Sequence, residues 1–359
     1  MQTKGLLFIP DISGFSRFVA ETEIDHSRLI IQELLEILIN ANNIGLEISE
    51  IEGDAILFYK FGDPPALTEI YKQVEKMFVE FHRSILAYDQ RRYCQCQACI
   101  SAINLTLKVI THYGEFTGYN VKNFSKLIGK DIIVAHQLLK NDIQHHEYWL
   151  ITQNLVPEGR PLDLTTWMKW DTSTKQTESG EVVFQYTQLS QLRNEIPPNP
   201  PTHLELQKMH KMFSVERVYD TDIITLFHAA GDFRYRSRWK EGVKSVETFN
   251  HFLPRVGMKC RCMTDDGLVN IVSSYYYYLD DKIQFTETDE DKGTATHFLL
   301  EKAGVRKTKL RLDFYTRKGF SLEFVLLLTG KRKLEKAFKK SLENLTALVK
   351  ELKIPTAVQ

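Results

Sequence analysis

The stretch Leu46-Glu-Ile-Ser-Glu-Ile-Glu-Gly-Asp-Ala-Ile-Leu-Phe-Tyr59 decides the reading of the first half of the chain. It reads as a strand, a tight Gly53-Asp54 turn and a second strand, which is a hairpin signal. Upstream, residues 6–10 are a short apolar run that ends at Asp11. If that run lies beside the hairpin, Asp11 and Asp54 reach the same end of one sheet. Two carboxylates with few neutralising neighbours suit Mg²⁺ or Mn²⁺, because hard cations prefer oxygen ligands. Bridged by a nucleotide's phosphates, such a pair is the arrangement used for phosphoryl transfer. The same residues also admit a plainer reading, in which Asp11 caps the following turn and Asp54 is an ordinary turn residue.

Around this core, helical and strand patterns alternate. Residues 27–43 carry Leu29, Ile30, Leu34, Ile37 and Leu38 at helical spacing, with Asn43 and Gly45 suited to the end. Residues 66–90 form a second amphipathic helix, 105–112 a β-branched strand and 130–140 a third helix. The pattern predicts an α+β domain over residues 1–190. The run Ile196-Pro-Pro-Asn-Pro-Pro201 can continue neither a helix nor a central strand, so residues 191–203 are expected to be a linker. Residues 204–359 then show strand-like runs at 211–220, 269–279, 282–288, 308–316 and 321–328. A long amphipathic helix follows Gly330, with Leu334, Phe338, Leu342, Leu345, Val349 and Leu352 on one face. That order suggests a helix lying across an antiparallel meander.

Composition narrows the partners. Lys+Arg and Asp+Glu are both 46, which argues against nucleic acid or an anionic membrane as the dominant partner. No apolar run approaches the length of a bilayer span. The first residues read as a strand rather than a signal peptide. Five cysteines, an odd number, fall in two clusters, Cys94/Cys96/Cys99 and Cys260/Cys262, and fit reduced thiols in a cytoplasm. Cys94, Cys96 and Cys99 also offer three soft ligands that His145, His146 or Cys260 could complete into a zinc site.

Four segments of the first half resemble the catalytic domain of class III adenylate and guanylate cyclases. Phe8-Ile-Pro-Asp11-Ile-Ser-Gly-Phe15-Ser16 is similar to the first metal motif, and Glu50-Ile-Glu-Gly53-Asp54-Ala-Ile-Leu57 to the hairpin motif. Leu107-Lys-Val-Ile-Thr-His112-Tyr-Gly114-Glu115 and Leu127-Ile-Gly129-Lys-Asp-Ile-Ile-Val-Ala135-His-Gln-Leu138 resemble the two later motifs, in the family's order. The resemblance implies a ferredoxin-like βαββαβ domain that works as a homodimer. It implies metal ligands at Asp11, Ile12 and Asp54, and nucleotide contacts at Phe15, Ser16, Glu50, Gly53, Lys126 and Lys130. Glu50 stands at the purine-selecting position as in guanylate-type members. The chain departs from the family at two positions: Ile133 replaces the ribose-orienting Asn, and Gln137 the Arg that stabilises transition-state charge. A preorganised cation there is worth several kcal/mol of barrier. The expectation is therefore a domain that binds a purine nucleotide and turns it over poorly. Its alternative is an active cyclase acting on GTP or ATP.

The second half resembles the START-related helix-grip superfamily, on Phe213-Ser-Val-Glu-Arg-Val-Tyr219, Arg236-Ser-Arg-Trp239-Lys-Glu-Gly242 and the element order. That implies a cavity for a small apolar ligand, with Trp239 and alternate tyrosines of Tyr275-Tyr-Tyr-Tyr278, written as Tyr275 and Tyr277 or Tyr276 and Tyr278, at its wall. A lipid or small-molecule carrier is the corresponding further alternative.

Overall fold

The computed structural model describes residues 4–91, 96–122, 124–156, 164–197, 205–249, 256–265, 267–279, 281–289, 291–317 and 330–352. The chain forms two compact units, residues 1–86 with 101–198, and residues 87–100 with 199–359. No helix among the described residues is long and apolar enough to cross a membrane.

The first unit is built on a seven-stranded mixed sheet in the order β2-β3-β1-β4-β7-β9-β8. Its strands are β1 (Lys4–Ser13), β2 (Glu47–Glu52), β3 (Ala55–Phe61), β4 (Thr106–Glu115), β7 (Tyr148–Thr152), β8 (Asp171–Thr177) and β9 (Gly180–Gln188). β5 (Thr117–Val121) and β6 (Phe124–Ile128) form a separate hairpin. The helices are α1 (Phe15–Glu21), α2 (Ile24–Asn40), α3 (Leu67–Arg91) and α5 (Lys130–Leu138). Central β1 is buried along nearly its whole length because both sheet faces are covered. Leu7 and Ile9 pack with Ile132, Val134, Ala135 and Leu138 of α5 on one face. On the other, Trp149 of β7 stacks on Tyr71 of α3, with ring centroids 6.1 Å apart. Burying such side chains is worth roughly 1.5–3 kcal/mol each. Pro10 sits inside this central strand, where proline is rare because it has no N–H to give the ladder. The register accommodates it: β3 pairs with Phe8 and then Asp11, and skips Ile9 and Pro10.

One close approach ties α5 to the sheet. A Cβ on Gly114 would lie 2.3 Å from Cγ of Asp131. The Asp131 carboxylate cannot move aside. It is bonded to Nε2 of His112 at 3.0 Å and accepts from the Glu115 N–H at 2.6 Å. Burial pushes its pKa up, but these partners hold it below the ordinary value. Gly114→Ala should therefore destabilise the protein by about 2–4 kcal/mol in urea unfolding, through overpacking and broken charged hydrogen bonds. Gly118→Ala, where the nearest atom is 3.9 Å away, should cost far less.

The second unit carries a seven-stranded antiparallel sheet in the order β10-β16-β15-β14-β13-β12-β11. The strands are β10 (Met209–Tyr219), β11 (Val243–Phe249), β12 (Lys259–Thr264), β13 (Gly267–Leu279), β14 (Lys282–Asp289), β15 (Thr294–Gly304) and β16 (Lys307–Arg317). Helices in this unit are α4 (Gln97–Ser101), α6 (Ile223–Gly231), α7 (Arg236–Trp239) and α8 (Lys331–Glu351). Asp222 caps α6 by accepting from the Thr225 N–H. α8 lays Phe338, Leu342, Leu345, Leu348 and Val349 into a core with Phe213, Leu310, Leu312 and Phe314. Tyr219 of β10 donates to the Leu342 carbonyl at 2.7 Å, tying the helix to the sheet. The strand expected at 321–328 lies outside the described residues.

A buried histidine in this unit has a measurable consequence. His297 of β15 bonds Oγ1 of Thr286 at 3.0 Å. Burial lowers its pKa to about 4, with Arg311, Lys211 and Lys282 adding to the effect and Asp313 opposing it. In the unfolded chain the ring takes a proton near its ordinary value of 6.5. Its contribution is thus complete above pH 6.5 and is lost as pH falls towards 4, by at most about 3 kcal/mol. His297→Gln should flatten that acid limb in urea midpoints measured from pH 7 to pH 4.

Candidate functional site

The two carboxylates singled out from the sequence meet at one end of the first sheet. β1 carries Asp11 between Ala55 of β3 and Lys108 of β4 in register. Gly53 has φ +61°, the conformation a two-residue type II′ hairpin asks of its first turn residue, and it leaves Asp54 next to the end of β1. The Ile12 N–H donates to the Asp54 carbonyl at 3.1 Å and fixes that approach. The residues around this end enclose a cleft of about 880 Å³, lined by both aspartates, Phe15 and Ser16 of α1, and Ile133 and Gln137 of α5. That volume lies in the range of small-molecule sites.

The electrostatics are those of crowded negative charge. Burial raises the Asp54 pKa to about 6, and the charge of Asp11 adds to it. Burial raises that of Asp11 as well, with Lys108 opposing. Among the described residues no side chain donates to the Asp54 carboxylate. One cation was not anticipated from the sequence. Lys108 lies 3.3 Å from Oδ1 of Asp11 and donates to the Leu139 carbonyl at 3.2 Å. Asp11 is therefore not the weakly neutralised carboxylate that the spacing suggested. The available signal was a lysine inside the apolar run Leu107-Lys108-Val109, and its meaning depends on the β1–β4 register. His136, Lys140 and His146 also line the cleft.

The other expected residues divide. Ile12 is fully buried and meets the site through its backbone, and Ser16 is exposed at the mouth. Ile133 is 49% exposed, and Oε1 of Gln137 is buried without a hydrogen-bond partner among the described residues. Glu50 is ion-paired to Lys126, with His136 Nε2 3.9 Å from its other oxygen. Glu50, Gly53, Lys126 and Lys130 are not part of the cleft's lining. Asp54, without a side-chain donor, and Asp11, with one oxygen on Lys108, form an oxygen donor set that fits one hard divalent cation.

In the second unit Trp239 is buried, and among the described residues its Nε1 has no hydrogen-bond partner. Tyr276 and Tyr278 pack against the core, whereas Tyr277 is 44% exposed. Tyr275 pairs across to Thr286 and Tyr277 to Gln284, the sheet face opposite Phe285 and Ile283. The inward tyrosines are thus the even pair, because a β-bulge between Ser273 and Tyr275 resets the alternation that would have to be counted from the strand's start. Of the possible zinc ligands, Cys94 lies outside the described residues. Cys96 and Cys99 are buried and form no disulfide, with the Cys99 N–H 3.5 Å from the Cys96 sulfur.

A family model described as a protein of unknown function, DUF2652, matches residues 31–148. An uncharacterised protein of Mycobacterium tuberculosis is 27% identical over 181 residues, covering 48% of this chain and 78% of its own. Structural neighbours over about half the chain are class III cyclase catalytic domains. The catalytic core of a rhodopsin-guanylyl cyclase, solved with ATPαS, is 14% identical at a TM-score of 0.36, covering 52% of this chain and 96% of its own. A bacterial light-regulated adenylyl cyclase is 13% identical at a TM-score of 0.38, covering 52% of each chain. An adenylyl cyclase of P. aeruginosa is 14% identical at 0.31, covering 52% of this chain and 93% of its own.

Proposed function

We propose that the first unit binds a purine nucleotide through one divalent cation, Mg²⁺ or Mn²⁺, and turns it over slowly or not at all. The observation that carries this reading is the meeting of Asp11 and Asp54 on one cleft with an uncompensated charge at Asp54. A bound cation would offset that charge and hold phosphate oxygens at Asp11 and Asp54. Lys108 and Lys140 bring positive charge to the same phosphates, and the orphaned Oε1 of Gln137 can accept from a ribose hydroxyl. Ile133 offers no hydrogen bond, and Gln137 is neutral where charge develops during transfer. The chain's own residues thus support binding better than catalysis.

The remaining parts of the reading have separate support. Glu50 supports a guanine preference only through its place in the resembling motif, since it is paired to Lys126 and lies outside the cleft's lining. An apolar groove lined by Phe15, Val19, Ile24, Ile31, Leu35 and Ile51 supports a homodimer. The antiparallel sheet with α8 laid on its core supports a helix-grip second unit that takes a small apolar ligand, with Trp239, Tyr276 and Tyr278 on its inner side. The odd number of cysteines, with Cys260 and Cys262 outside any disulfide, supports a cytoplasmic location.

Equilibrium dialysis of the full chain tests the first unit. GTP should be retained in Mn²⁺ and released by a chelator, with ATP retained less. No retention of either nucleotide overturns the proposal.

A further inference from the structure

The second unit holds three sulfur side chains on one face of one strand. Met258, Cys260 and Cys262 alternate along β12 and the residue before it, so all three point the same way. They are 2%, 1% and 4% exposed and form one buried cluster with Phe233. Val243, Val246, Val269 and Ile271 pack against that cluster. Three of the four cross-strand partners of the two cysteines come from the same set: Cys260 faces Ile271, and Cys262 faces Val269 and Val246, while the other partner of Cys260 is Thr248. Neither the nucleotide site nor the expected apolar-ligand wall uses these sulfurs.

The spacing of the two thiols discriminates between the things a cysteine pair can do. Their sulfurs are 3.8 Å apart. A disulfide needs about 2.05 Å and a compact Cα separation. Residues i and i+2 of one strand stand roughly 6.6 Å apart along the chain, at the upper limit for a disulfide. Closing a disulfide would therefore strain β12. Two thiolates bound to one metal at about 2.3 Å each, subtending an angle of roughly 110°, are instead about 3.8 Å apart. The pair already has the separation of two ligands on a common ion.

The chemistry of the surroundings selects the ion. The donors are two thiols and a thioether, with Phe233, Val243, Val246, Val269 and Ile271 packed with them. Soft thiolate and thioether ligands favour Cu(I) over Mg²⁺, Ca²⁺ or Mn²⁺.

We propose that Cys260 and Cys262, with Met258 as third ligand, form a buried site for one monovalent soft metal ion of the Cu(I) class. Loading exchanges the ion for the protons of the thiols that become thiolates, which leave to solvent, and changes no oxidation state. The wall of Phe233, Val246, Val269 and Ile271 would keep water and oxidants from the ion.

The test is an anaerobic titration of the full chain with Cu(I) against bicinchoninate, on a background in which Cys94, Cys96 and Cys99 are serine. One Cu(I) per chain should be withheld from the competitor, with thiolate-to-copper absorption in the near ultraviolet. Cys262→Ala should weaken retention at least a hundredfold. Met258→Leu, which keeps the volume, should weaken it about tenfold and leave the unfolding midpoint unchanged. X-ray absorption on the loaded protein should show sulfur-only ligation. Failure of the background protein to retain Cu(I) overturns the site, as does nitrogen or oxygen ligation, or full retention by a folded Cys260→Ala/Cys262→Ala chain. A Met258→Leu chain that binds as tightly as its parent overturns the third ligand.

Discussion

Glu287→Gln should destabilise the second unit by roughly 3–5 kcal/mol, read as a shift of the urea midpoint at unchanged slope. Arg236 is 3% exposed, and its guanidinium meets Glu287 through two parallel bonds, one of 2.5 Å, while it also donates to the Ala230 carbonyl at 3.3 Å. Its carbon lies 5.1 Å from the ring centroids of both Phe233 and Trp239. Removing the carboxylate charge leaves a guanidinium that has lost water and has no counter-ion. Arg236→Met strands Glu287 in the same way and should cost a similar amount. The double variant Arg236→Met/Glu287→Leu should recover most of the loss, because apolar side chains of similar volume replace a desolvated pair at little net cost. The double-mutant cycle, closed with the single variants Arg236→Met and Glu287→Leu, is the deciding quantity. If the single losses simply add in the double variant, the pair is not coupled and this account of the interior fails.

Asp54→Asn should lower Mn²⁺-dependent nucleotide affinity at least a hundredfold, because it takes the least compensated oxygen ligand from the cleft. The same change should raise the stability of the ligand-free protein. An aspartate whose folded pKa is raised to about 6 opposes folding once it ionises. Neutralising it should add about 1 kcal/mol at pH 7, the value being discounted because the residue is only half-buried. Losing binding while gaining stability is the mark of a ligand residue held in place at some expense to the fold. Asp11→Asn should weaken binding too, but it also frees Lys108 from its partner, so its effect on stability should be smaller or reversed. An Asp54→Asn chain that binds nucleotide normally would show that the carboxylates are turn residues only.

Residues whose role is set by local chemistry are legible in the sequence. The Gly53-Asp54 hairpin is one, since a two-residue turn needs a glycine and alternation sets its flanks. The helices expected at 27–43, 66–90 and 130–140 are found at Ile24–Asn40, Leu67–Arg91 and Lys130–Leu138, because apolar spacing over several turns is hard to mistake. Residues whose role depends on register are not legible in the same way. Lys108 matters only because β4 places it opposite Asp11. The inward tyrosines cannot be separated from the outward ones by counting, because one bulge shifts the alternation. β8 carries no apolar residue, and only Thr177 is buried there, so its pattern resembles a polar loop. The Met258-x-Cys260-x-Cys262 alternation is visible as letters, yet its burial follows from β11 and β13 flanking it, which no local pattern foretells.

The central claim is binding without efficient turnover, and product formation by nucleotide-loaded protein tests it most directly. Full-length chain is saturated with Mn²⁺–GTP, and separately with Mn²⁺–ATP, at concentrations where dialysis shows occupancy, and cyclic nucleotide is followed over hours. The account predicts that bound nucleotide is recovered intact, with turnover below about 0.01 per second, two orders of magnitude under the slow end of ordinary enzymes. Turnover of about 1 per second or faster, abolished by Asp54→Asn, would contradict it and make the chain an active cyclase despite Ile133 and Gln137.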